Sequence, residues 1–165
     1  MQLNLIEESS GEIITLEETK NYLCINHDFD DSLISILIKS TREALEAIIQ
    51  KSILKQVWEY KMENQPVSNF YFNSNDYPNI FKNTLKISLP KPPIRKILAV
   101  KINEEEIDLN KCSLNTIGDR FCLCIVNNFL AKKSKISFSI RYETGISDDV
   151  GNIPYQLKLA NLMLM

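Results

Sequence analysis

One histidine, His27, and two cysteines a residue apart, Cys122 and Cys124, are the side chains whose types and spacing could do chemistry. His27 stands in "NHDFDD", where it could serve as a general base only if a nucleophile were brought to it. A polar joint whose aspartates cap the next helix explains the same residues without catalysis. As a calcium loop the segment offers Asp28 and Asp30, but the turn has no glycine and Lys39 occupies the place of the closing glutamate. "CLC" puts both thiols on one face of a strand. Zinc would need two more soft ligands, and Cys24, Cys112 and His27 are not at finger-like spacing. Buried thiols acting as small apolar side chains fit better. "TGISDDVG" lacks both GxGxxG and GK[ST], so no phosphate loop is expected. Phe70, Tyr71 and Phe72 come without a basic groove and suit packing better than base stacking. Glu104, Glu105 and Glu106 read as a solvated turn. No catalytic residue, metal site or cofactor is expected, and a small intracellular enzyme using His27 stands as an alternative.

A different activity is suggested by "LPKPPIRKI", residues 89–97. Pro90, Pro93 and Arg95 fit PxxPxR, the pattern of a polyproline II ligand for an SH3 groove. That reading, a protein-interaction module, requires the segment to be exposed and free of sheet pairing. Leu85, Ile87 and Leu89 alternate into it and Leu98, Val100 and Ile102 alternate out of it. The prolines therefore fall where one strand ends and another begins, a place where missing donors cost little.

The elements around these residues follow from periodicity. Thr15 and Glu18 form a capping box that opens a short helix in "TLEETKNYL". Leu33, Ile34, Leu37, Ile38, Thr41, Leu45, Ile48 and Ile49 recur at helical spacing, predicting a long amphipathic helix capped by Asp30 or Asp31. Its apolar stripe is wide enough for more than one neighbour. From Trp58 the period changes to two, with Trp58, Tyr60 and Met62 on one face. "NQPVSNFYFNSNDYPNIFKN" suggests a short strand and a long surface loop. Alternation resumes in "TLKISL", "ILAVKI", "RFCLCIV" and "KISFSIRY", with "NEEEID" as a tight connection. Pro154 suits the first turn of a last helix whose stripe is Ile153, Leu157, Ala160 and Leu164. That helix has no C-terminal cap, which implies a shortened chain or a partner for its last apolar turn.

The expected fold class is α+β: an N-terminal helical pair and a C-terminal helix packed together, with an inserted antiparallel β-sandwich or small barrel. The 165 residues are expected to form a single domain. Its helical part covers about 14–52, its β part about 55–145 and its last helix about 153–165. A chain of this length buries roughly 70% of its unfolded surface, enough for a core without staples. Hydrophobic residues make up 44% and charged residues 24%, which indicates neither disorder nor a membrane protein. "MQLNLIEESSGE" lacks the features of a secretion signal, so an intracellular protein with free thiols is expected. Net charge is -2, giving no basic surplus for a phosphate backbone. It is unevenly placed, for residues 1–31 hold eight carboxylates and one lysine.

Several of these segments, in this order, carry a resemblance. Leu16, Glu17, Glu18, Lys20 and Leu23 look like a "LEEAKxHL" opening, followed by the aspartates Asp28, Asp30 and Asp31. Gln56, Trp58 and Glu59 resemble "QxWE", and Leu89, Pro90, Pro92, Pro93 and Ile94 resemble "LPxPPI". Tyr142 and Gly145 resemble a "Y..G" strand end, and Ile153 and Pro154 the entry to a last helix. Together they resemble the head-tail connector, or adaptor, proteins of tailed bacteriophages and prophages, of which related forms occur in gene transfer particles. The resemblance implies a structural subunit without an active site. It would form a ring of copies under the portal protein, extend the DNA channel and meet a tail-completion or stopper protein. It also implies assembly in the host cytoplasm, a final place at the virion head-tail junction, no membrane partner and no sequence-specific DNA binding. Relatives often have glycine after the long helix, where "IIQKSIL" has none, so a looser or longer helix end is expected. Their last helix runs on with an aromatic and a basic residue, and their C-terminal region is implicated in portal docking. A ring of like copies needs two different faces, and the charge split nominates Glu17 and Glu18 on one and Lys91, Arg95 and Lys96 on the other.

Overall fold

The computed structural model describes residues 1–66, 70, 84–117, 120–126, 134–147 and 150–165. The chain order is β1 (Gln2–Glu7), α1 (Leu16–Leu23), α2 (Asp31–Ile49), β2 (Gln56–Pro66), β3 (Thr84–Ser88), β4 (Ile94–Ile102), β5 (Glu105–Glu106), β6 (Cys112–Ile117), β7 (Arg120–Val126), β8 (Lys135–Thr144) and α3 (Tyr155–Met163). It is a mixed α+β fold, as the two periodicities require. The chain divides into a β unit, residues 1–7 and 57–144, and a helical unit, residues 8–56 and 145–165. Tyr71, Phe72 and most of the loop expected after residue 66 fall outside the described residues.

In the β unit two antiparallel sheets share one core. The larger has strand order β1-β2-β8-β4-β5 and the smaller β3-β7-β6. Alternate residues of both face inward: Leu85, Ile87, Leu123 and Ile125 from the smaller sheet meet Val100, Phe138, Ile140 and Tyr142 from the larger. Trp58, Tyr60 and Met62 join that core on the expected face of β2. "LPKPPI" links β3 to β4 and so carries the chain from one sheet to the other. Its Pro90 carbonyl accepts the Tyr142 hydroxyl at 3.1 Å. "NEEEID" becomes a two-residue hairpin turn. Asn103 and Glu104 both take positive φ, 51° and 71°, the type I′ geometry that asparagine tolerates. The sequence reading did not include β1, which pairs antiparallel with β2; Leu3 and Leu5 alternate with Gln2 and Asn4, but over only six residues.

In the helical unit, Ile13, Ile14, Ile34, Ile38, Leu45, Ile53, Leu54 and Ile153 form the core. Helix α2 packs against both α1 and α3. Its buried face is Ile34, Ile38, Thr41 and Leu45, together with Arg42 and Glu46. Leu33 and Ile48 are 55% and 68% exposed, so the wide apolar stripe of the sequence is only partly used. Asp30 occupies the N-cap position without a capping hydrogen bond. Asp31 is the first helical residue, and its carboxylate is taken by Lys20 at 2.8 Å. Helix α2 stops at Ile49 because Gln50 turns into the left-handed region (φ 56°, ψ 32°), doing without glycine what a C-terminal cap usually asks of one. Leu164, expected in the stripe of the last helix, lies beyond the end of α3 and is 43% exposed, whereas Ile153 is buried and Leu157 and Ala160 pack against the core as expected.

Candidate functional site

The residues nominated for chemistry are dispersed. His27 is half-exposed in the joint between α1 and α2, with Nε2 3.9 Å from Asp30 Oδ2 and its ring tilted against Phe29. That is a surface pair, and among the described residues His27 has no buried orienting group of the kind a catalytic histidine uses. Cys122 and Cys124 are buried free thiols, and burial pushes the Cys122 thiol up, away from the reactive thiolate. Among the described residues no group of His, Cys, Asp and Glu is placed to hold a metal ion, and no helix is long and apolar enough to cross a membrane.

The motif residues instead hold local structure. Glu18 closes the capping box: its carboxylate accepts from Thr15 N at 2.7 Å, and Glu18 N donates to Thr15 Oγ1 at 3.1 Å. The Thr15 backbone contact lowers the Glu18 pKa against an opposing effect of burial, and Lys158 lowers it further. Lys20 clamps the aspartate run, reaching Asp28 at 2.6 Å and Asp31 at 2.8 Å. Gln56 donates to Glu46 Oε2 at 3.2 Å in the core of the helical unit. Glu59 is held by Lys61 at 2.7 Å and Ser139 at 3.1 Å. Gly145 has φ 129°, and a Cβ there would stand 2.6 Å from Leu54 O.

For an assembly surface, the nominated residues divide between the two units. Glu17 is exposed in the first turn of α1, whereas Glu18 is already engaged by its cap and by Lys158 at 3.5 Å. On the β unit, Lys91 Nζ lies 5.5 Å from the Trp58 ring centroid, a cation–π contact. Arg95 Nε is 3.7 Å from Glu143, and Lys96 is exposed. The PxxPxR segment is therefore a corner of the sandwich, with Ile94 buried and β4 paired to β8 from its first residue. Counted by unit, the helical part carries 11 carboxylates and 6 Lys+Arg, a net of -5, and the β part 10 and 13, a net of +3.

Three features escaped the sequence reading. The first is a buried ionic cluster in which Arg42, 1% exposed, bonds Glu12 Oε2 at 2.6 Å and Glu46 Oε2 at 3.3 Å. The i,i+4 spacing of Arg42 and Glu46 was its visible signal. The second is an apolar groove of about 590 Å³ lined by Ile14, Asn21, Tyr155, Lys158, Leu159 and Leu162. The third is the exposure of the outer edge of α2: Leu33, Leu37 and Ile48 belong to the stripe expected to pack against neighbours, and Ile36, also exposed, was not in it.

Comparison with known proteins gives this geometry a context. The structure resembles a chain from the virion of a native gene transfer agent particle, with a TM-score of 0.68 at 16% identity, covering 99% of this chain and 81% of that one. A chain from the neck of an empty gene transfer agent particle, computed with C6 symmetry, matches with a TM-score of 0.68 at 15% identity over 99% and 81%. One from the neck of a native particle, computed with C12 symmetry, gives 0.65 at 15% over 99% and 80%. These likenesses establish a common fold. No curated protein sequence matches the chain. The model of the head completion protein family matches residues 12–165, so the chain belongs to the head completion proteins and is a structural component of a phage-type head-tail connector.

Proposed function

We propose that copies of this chain form a ring beneath the portal protein, extend the channel through which DNA leaves the head, and present a platform to a tail-completion or stopper protein. The observation that carries this reading is the family match over residues 12–165 combined with the fold shared with chains from neck structures computed with C6 and C12 symmetry. The chain is made in the host cytoplasm and acts at the head-tail junction by position rather than by catalysis. The use of its motif residues for caps, clamps and corners supports that. A net charge of -2 suits a lumen in which a polyanion must slide rather than stick.

In a closed ring each copy offers one face to the neighbour on its left and a different one to the neighbour on its right. The opposite charges of the two units supply such a pair, with Glu17 and Glu18 on the acidic side and Lys91, Arg95 and Lys96 on the basic side. Native mass measurement and electron-microscope images of the full chain, with and without its own portal, test the proposal. A ring at one end of the portal is expected. A chain that stays monomeric and unbound in the presence of portal would refute it.

A further inference from the structure

Helix α2 has two apolar faces and uses one. The outer face carries two apolar groups, Leu33, Ile36 and Leu37 in the first half of the helix and Ala44, Ala47 and Ile48 in the second, with the exposed Ser40 between them on the same face. Ile36 is 62% exposed and Ile48 68%, and both alanines are exposed. A helix with one covered face ordinarily turns charged residues to solvent on the other. Here the acidic Glu43 stands at the margin of the stripe, and the alanines leave room for another surface to come close. An exposed apolar surface of this kind marks an interaction surface.

We propose that the outer face of α2 is the seam between neighbouring copies, and that its occupant is the basic β unit of the next copy. This deepens the ring reading and rests on it. The charge distribution selects the occupant. A helical unit at -5 meeting another at -5 is penalised, while the β unit at +3 is attracted. Lys96, exposed on β4, fits the margin chemically. The aliphatic stem of such a side chain lies along apolar surface while its charged end reaches a carboxylate such as Glu43. The contact is heterologous, helical face to β face, so it does not end in a two-fold dimer, and its repetition generates a ring where the rotation between copies closes.

The test uses the full chain with its own portal. Ile36→Asp and Ile48→Asp alter solvent-facing positions, and a circular dichroism melt checks that each variant stays folded. The expected result is at least a tenfold loss of ring occupancy on the portal at the concentration that saturates it with wild type. Independently, carboxyl-to-amine crosslinking of wild-type rings mixed from isotope-labelled and unlabelled chains should join Glu43 of one copy to a lysine within residues 57–144 of another. Rings that form normally from both variants overturn the seam. Crosslinks from Glu43 that run only into the helical unit of a neighbour overturn the assignment of its occupant. If wild type itself forms no ring on the portal, the ring reading fails and the seam falls with it.

Discussion

Arg42 Nε donates to Glu12 Oε2 at 2.6 Å from a side chain that is 1% exposed. Burial works against its charge, and the Glu12 hydrogen bond with the charges of Glu12, Glu46 and Glu43 overcomes that, so the guanidinium stays charged. Glu46, equally buried, accepts from Ile53 N at 2.8 Å and thereby pins the segment that leaves α2. Arg42→Ala strands the Glu46 charge and should cost about 3–5 kcal/mol in denaturant unfolding. Adding Glu46→Gln removes the stranded charge while keeping an acceptor for Ile53, so the double variant should recover part of that loss. A double variant no more stable than Arg42→Ala would mean that the charge is not what the cluster balances.

The capping box gives a pH dependence with a definite sign. The folded-state pKa of Glu18 is lowered, so its contribution is present at neutral pH and fades as the pH falls through the acid range. Glutamine can still close the capping box, so Glu18→Gln removes only the charge near the helix start and beside Lys158 and should reduce stability by about 0.3–0.5 kcal/mol at neutral pH. The gap between variant and wild type should close on acidification, as followed by thermal melts along a pH series.

Gln50 ends α2 in the left-handed region. A non-glycine residue there costs about 1–2 kcal/mol, from which the entropy glycine loses on folding, about 0.5–1 kcal/mol, must be subtracted. Gln50→Gly should therefore stabilise the chain by up to about 1.5 kcal/mol, readable as a higher denaturant midpoint at unchanged slope.

Gly145 is the opposite case. Residues 146 and 147 donate backbone N–H groups to the carbonyls of Ser52 and Ile53 at 3.0–3.2 Å, and the preceding position has no room for a side chain. Gly145→Ala should destabilise by more than about 2 kcal/mol, since it adds backbone strain to a clash with backbone atoms. Melting within a degree of wild type would show that the strand end can shift.

Local signals in the sequence gave local structure. Thr15 with Glu18 predicted a capping box that forms in full, and the alternation around "LPKPPIRKI" predicted a corner between strands. What the sequence withheld was decided by partners distant in the chain. Arg42 and Glu46 look like a solvated i,i+4 pair until Glu12 and Gln56 are brought to them. Leu33 and Ile48 belong to the same helical period as Ile34 and Leu45, and nothing in a 3.6-residue repeat says which apolar edge will be covered. Asp30 has the right residue type for a cap, but its φ and ψ of -99° and 5° do not place its side chain to accept. The surface nominations followed charge alone, which separates the units without choosing the residues that touch.

The order in which the two units are strung together has a mechanical consequence. The backbone passes between them three times, after Glu7, after Gln56 and after Thr144. Neither unit can be released by one proteolytic cut, and neither corresponds to a simple truncation. A nick at any one crossing leaves two covalent links between the units, a useful redundancy in a coupling between two large bodies.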